Sequence, residues 1–323
     1  RRSTGDPLAL AESLTHLAGV EIDRGRTDAA ARLVAEAKGI REKLLGSDHP
    51  LIAEDFALLG RISYESERFS EAVGLYGKSL ALRRQVLPAD HPDLALTLSD
   101  LGAAHLALGD LKGAEASLRE VVAMDRRLYP QGHPYLADAL LNLGATLQSA
   151  GRLAEAEREL RAALDIERGL ADGDPLRTAS VLGRLAVVRR DRGDLEQAEG
   201  YAREALALRE KHQPSDHLDV ALASASLGNL WVALGRARDA EPLLARTVAI
   251  REAKLLPDDP SVALARSALG AELGRLDDAR PLLEESHRTL VATLGADHSN
   301  AKLAASRLER WRELASAGNA SRR

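Results

Sequence analysis

Residues Asp138 to Leu170, DALLNLGATLQSAGRLAEAERELRAALDIERGL, decide the fold. Large aliphatics fall three and four apart on each half, the spacing of one helical face. The halves meet at Ala150-Gly151-Arg152, which reads as a tight turn between two helices. Small residues, Gly144 and Ala156, sit where two backbones would approach closely. A helix pair this short cannot bury its apolar face alone and needs copies of itself on either side.

The chain supplies those copies. The Ala that opens the second helix recurs at Ala30, Ala72, Ala114, Ala156, Ala198, Ala240 and Ala279, in steps of 42 residues and a last step of 39. A first-helix Leu does the same at Leu17, Leu59, Leu101, Leu143, Leu185, Leu227 and Leu269, each followed by Ala or Gly. The turn falls at Gly25, Glu67, Gly109, Gly151, Gly193, Gly235 and Gly274.

Leu-x-x-Leu-Gly, a turn Gly and an Ala opening the next helix resemble the tetratricopeptide repeat. The long period and the junctions Asp48-His49-Pro50 and Asp90-His91-Pro92 are similar to the kinesin-light-chain subclass, which is common in large bacterial proteins. The resemblance implies an all-α fold: an α-α superhelix, a right-handed solenoid of seven helix pairs plus a C-terminal capping helix. It places the repeats at about 6–47, 48–89, 90–131, 132–172, 173–214, 215–256 and 257–295 of a single array. A capping helix at 296–317 and a frayed tail at 318–323 follow, and Trp311 is expected to pack on the final pair.

Composition agrees. Strand formers are sparse, and aromatics make up 3%, so an aliphatic, small-residue core is expected. A net charge of −5 and isolated Arg pairs interleaved with acids lack the basic stripe that nucleic acid requires. Cysteine is absent, which excludes disulfides and thiolate chemistry and fits a cytoplasmic protein. No run approaches the roughly 18 apolar residues of a membrane span. Gly5-Asp6-Pro7 resembles the inter-repeat junction Gly173-Asp174-Pro175, so the chain is expected to be a fragment of a longer polypeptide.

At each junction an Asp is expected to cap free helix amides, with Pro in the first turn where its missing N–H is not needed. The histidines that recur there come once per repeat. A helix spacing of ~8–10 Å separates them too far for one metal ion. The last repeat lacks three residues around Ala271-Glu272-Leu273-Gly274.

Catalytic motifs are missing. Gly77-Lys78-Ser79 has Ala72 where a phosphate-binding loop needs Gly, and the segment reads as helix interior. No metal-protease or nucleophile-elbow motif occurs. The expectation is a protein that is not an enzyme and holds no cofactor.

The resemblance implies a concave groove lined by first helices, which holds a peptide or a partner helix. It places one row at His16, Leu58, Asp100, Asn142, Arg184 and Ser226. Arg61 and Asn229 lie one turn on, Gln148 and Arg190 two turns on. Candidate ligand contacts are Asn142, Gln148, Arg184, Arg190, Asp100, Asn229 and Arg61. Arg184 and Arg190 could flank one carboxylate, so an acidic ligand is expected there. Two function classes follow: an interaction scaffold, or the regulatory arm of a larger bacterial enzyme such as a protein kinase, a nucleotide-binding signalling protein or a caspase-like protease. Self-association through the array ends is a third, lesser reading.

Overall fold

A computed structural model describes residues 6–272 and 276–320. Fifteen α-helices account for the secondary structure among the described residues. The chain divides into two compact units, residues 1–171 and 172–323.

The first unit holds α1 (Pro7–Asp23), α2 (Thr27–Leu45), α3 (Pro50–Glu65), α4 (Phe69–Val86), α5 (Pro92–Leu108), α6 (Leu111–Leu128), α7 (Pro134–Ser149) and α8 (Leu153–Gly169). The second holds α9 (Pro175–Asp191), α10 (Leu195–His212), α11 (Leu218–Ala233), α12 (Ala237–Lys254), α13 (Pro260–Glu272), α14 (Leu276–Leu294) and α15 (Ser299–Ala320). Within each unit every odd-numbered helix through α13 packs on its successor and each pair stacks on the next, so each unit is an all-α stack of tetratricopeptide-like hairpins.

The recurring positions carry the packing. Ala30, Ala72, Ala114, Ala156, Ala198 and Ala240 have no exposed surface, and Ala279 has 1%. Opposite them the helices touch through the small residue of the first helix. A Cβ on Gly144 would stand 2.6 Å from Leu160 Cγ and 3.3 Å from the Ala156 carbonyl oxygen. At Gly60 the obstacle is the Tyr76 ring, 2.8 Å away. Leu143, Leu185 and Leu227 are buried beside these contacts. Leu17 is 47% exposed, because α1 packs on α2 and α3 from one side and Leu17 lies off that side.

The turn positions all adopt positive φ where they are described: Gly25, Gly109, Gly151, Gly193 and Gly235 at 73–86°, and Glu67 at 58°. That conformation reverses the chain within three residues and suits glycine, which has no Cβ to clash. The shortened turn of the last pair falls on residues 273–275, outside the described residues. Trp311 packs against Ala279, Leu283 and Leu308. The last helix, α15, runs to Ala320, so residues 318–320 form its final turn, and 321–323 lie outside the described residues.

Helix capping departs from the expectation. At five junctions the cap is a histidine, which in four of them follows the aspartate and at His133 follows Gly132. Nδ1 of His49, His91, His133, His217 and His298 accepts the N–H two residues on, at 3.1–3.3 Å. The residue immediately before the first helical position is the one whose side chain reaches the free amides, and in these junctions that residue is His. Where Asp occupies it, at Asp6, Asp174 and Asp259, the carboxylate takes the same bond at 2.7–3.0 Å.

Candidate functional site

A cavity that holds one of the expected groove residues, Asn142, lies in the first unit. It is a cleft of about 460 Å³ between α5 and α7, floored by α6. Tyr135, Asp138, Ala139 and Asn142 face it from one side of α7, spaced three and four apart as helix geometry dictates. Leu96 and Ser99 face it from α5, and Val121 and Asp125 form its floor, with Tyr129 at one end.

Its chemistry is mixed. Leu96 and Tyr135 are 59% and 60% exposed, large apolar surfaces left at the rim. Tyr129, His133 and Tyr135 form an aromatic cluster: the His133 ring stacks on Tyr129 at 4.2 Å and meets Tyr135 at 4.6 Å. In a chain with few aromatics this concentration stands out. Three carboxylates line the space, Asp93, Asp125 and Asp138. Asp125 is 3% exposed. Burial pushes its carboxyl above the usual carboxylate range, and the nearby His133 only partly offsets this.

Of the residues expected in the groove, Asn142 lies in this cleft. Asp100 is half-buried on the same helix as Leu96, one residue beyond Ser99. Burial raises its carboxyl to about 6 against the pull of Arg61 and Arg83. Arg61 is exposed and bonds Asp23 at 2.6 Å. Gln148 is half-buried near the end of α7. Arg184, Arg190 and Asn229 belong to the second unit. Arg184 and Arg190 are exposed on α9, and Asn229 is half-buried on α11. Arg190 donates to its neighbour Asp191 at 2.8 and 3.1 Å, so an incoming carboxylate would have to displace that bond.

Sequence reasoning missed Asp125, Tyr129, Tyr135 and Leu96. A signal was present for Asp125. In the 42-residue register its position is occupied by Arg41, Arg83, Asp125, Glu167, Arg209 and Arg251, an arginine in four of six. The aromatic cluster had a weaker one, three rings within seven residues at one junction.

Among the described residues no group of His, Asp and Glu is placed to hold a metal ion. No described helix is long and apolar enough to cross a membrane.

A family model described as the MalT-like TPR region matches residues 85–309, and one described as tetratricopeptide repeat matches residues 9–85. No curated protein matches the chain. Among solved structures, the nearly identical TPR-like repeats of a Podosopora anserina putative kinesin light chain are 23% identical with a TM-score of 0.55, covering 64% of this chain and 98% of theirs. The apo quorum sensor NprR of B. thuringiensis is 13% identical with a TM-score of 0.77, covering 98% and 85%. A Rap protein complexed with Competence and Sporulation Factor is 14% identical with a TM-score of 0.60, covering 95% and 96%.

Proposed function

The chain belongs to the tetratricopeptide-repeat family, matching its MalT-like TPR region, and from that premise we propose that it is a non-catalytic scaffold that takes a peptide or a partner helix on its first helices. The observation that carries this reading is the α5–α7 cleft. It combines exposed apolar surface at Leu96 and Tyr135 with hydrogen-bonding groups at Ser99 and Asn142. Recognition sites join apolar anchors to a few placed polar groups in this way. The proposed contacts are Arg61, Asp100, Asn142 and Gln148 in the first unit and Arg184, Arg190 and Asn229 in the second. The quorum sensor NprR and a Rap protein complexed with Competence and Sporulation Factor share the fold, which supports a ligand held on the repeats.

The test is retention of a partner by the immobilised protein, with the bound segment mapped by protection from proteolysis. Substituting Leu96→Asp and Tyr135→Ala together should release a partner held in the cleft. A retained partner that ignores both changes, and whose footprint avoids the first helices, overturns the reading.

A further inference from the structure

The register position of Asp125 has a definite job elsewhere in the chain. Arg41, in α2, is buried and bridges two first helices: Nη1 donates to Asp55 of α3 and Nη2 to Thr15 of α1 at 3.3 Å. Arg209, in α10, does the same in the second unit, donating to Asp219 of α11 at 2.6 Å and to Ser180 of α9 at 3.0 Å. Arg83 reaches the Asp93 carbonyl oxygen at 2.7 Å and Thr97 Oγ1 at 2.5 Å, and Arg251 the Ser261 carbonyl oxygen at 2.6 Å. In each case a guanidinium fills the space beside the next first helix.

Shifting those partners by whole repeats lands on the cleft. Two repeats after Thr15 is Ser99, and two after Asp55 is Ala139. Two repeats before Ser180 is Leu96, and two before Asp219 is Tyr135. All four line the α5–α7 cleft. The cleft is therefore the space that an arginine side chain occupies in the sister repeats, open here because the position carries the shorter Asp125. Among the described residues the Asp125 carboxylate has no hydrogen bond or ion pair, although it is 3% exposed and lines the cleft. The nearby His133 turns its Nδ1 to the Tyr135 N–H, accepting it at 3.2 Å.

We propose that the α5–α7 cleft receives a basic side chain, an arginine above all, from a bound protein segment, with its guanidinium on Asp125 in the place the chain's own arginine takes in other repeats. The proposal rests on the peptide-scaffold reading and names the chemistry of the ligand. Asp93 lies along the same wall and adds negative potential. The stem of an arginine would lie against Leu96 and the Tyr129 and Tyr135 rings, where guanidinium stacking on aromatics also favours it over lysine. A carboxylate that faces a cleft from its floor gains from a charge-assisted pair with a guanidinium.

The test uses N-acetyl-arginine amide, its uncharged isostere N-acetyl-citrulline amide and N-acetyl-glutamate amide, titrated into the whole chain by NMR. The arginine probe should shift the amides of Ser99, Asp125, Tyr135 and Ala139 and bind about tenfold or more tightly than citrulline, the ratio expected for one charged hydrogen bond. Glutamate should not shift them. Asp125→Asn should reduce the arginine probe to the citrulline level. Asp125→Arg should abolish binding and raise the unfolding midpoint by filling the cleft, with Ser99 and the Tyr135 carbonyl oxygen (in register with the Ser261 carbonyl that Arg251 uses) as its acceptors, which guards against loss of binding through misfolding. Equal shifts by arginine and citrulline, no response to arginine, or full binding by either variant overturns the proposal. A partner retained through Leu96 and Tyr135 but indifferent to Asp125→Asn would leave the scaffold reading standing while this one falls.

Discussion

The junction at Arg41 and the junction at Asp125 are built from the same helical frame and end in opposite states. At the first, a buried guanidinium ties α1 to α3 and closes the space between them. At the second, a carboxylate in the same register leaves about 460 Å³ open between α5 and α7. The Arg209 junction in the second unit repeats the closed state with different acceptors, Asp219 and Ser180 in place of Asp55 and Thr15. In a repeat protein, then, the scaffold sets where a site can open, and one side chain per junction decides whether it does.

Opening the closed junction should have the largest effect. Asp55 has no exposed surface, and burial lifts its carboxyl to about 6 even with Arg41 beside it. Arg41→Ala would strand that carboxylate, and breaking a buried pair from one side costs about 3–5 kcal/mol. Chemical denaturation at neutral pH measures the loss. A cost below about 1 kcal/mol would mean the bridge is ornamental and that the two junctions differ for another reason.

The next test asks whether the open junction reflects loose packing in general. Beside the cleft, α7 and α8 are tightly joined, with Gly144 pressed on Leu160 and Ala156 fully buried. Ala156→Leu should therefore cost ~1–3 kcal/mol by overpacking, read as a lower denaturation midpoint. An unchanged midpoint would show slack throughout this part of the unit and weaken the assignment of the cleft to Asp125. This contact was legible in the sequence. Ala156 and Gly144 hold their register across all seven pairs, and a small residue at a helix crossing admits few explanations. The same holds for the helix pairs, the turns and the packing of Trp311.

The site was less legible, for a physical reason. Arg41, Arg83, Asp125 and Arg209 align at one spacing, but the sequence does not say that this position projects between consecutive first helices. Without that, an Arg-to-Asp exchange reads as ordinary surface variation. The family resemblance pointed instead to polar first-helix residues. Asn142 lies in the cleft, whereas Arg190 is engaged with Asp191 and Arg61 with Asp23. Histidine caps were hidden similarly, because Asp48 and His49 are adjacent and only backbone geometry shows which of them is the cap.

Asp100 sharpens the contrast between carboxylates, since arginines face it and none pairs with Asp125. Burial still dominates at Asp100 and raises its carboxyl to about 6 from an ordinary value of 3.8. Between those values the folded state binds more protons than the unfolded chain, so its contribution to stability falls as pH rises through the window. Asp100→Asn should raise the unfolding midpoint at pH above 6, by roughly 1–2 kcal/mol after allowing for partial exposure. The gain should vanish near pH 4. A gain that persists at low pH would assign the effect to packing rather than charge.

The smallest effect concerns Glu67, whose turn joins α3 to α4 between the closed and open junctions. Five other turns place Gly at this position with φ between 73° and 86°, and Glu67 alone among the described turns carries a side chain there, at φ 58°. A left-handed conformation crowds Cβ against the backbone and costs an L-residue roughly 1 kcal/mol. Glycine removes that strain but gives the unfolded chain more freedom. Glu67→Gly should therefore stabilise by only about 0.5–1 kcal/mol. The reciprocal control is Gly151→Ala, where nothing within 4 Å would meet the added Cβ, so any loss reports backbone strain alone. Opposite and comparable shifts in thermal midpoint would establish the turn as a strain site that leaves the junctions untouched. If Glu67→Gly also altered arginine-probe binding in the cleft, the turn and the junction would be coupled, and a single side chain could no longer be credited with the open state.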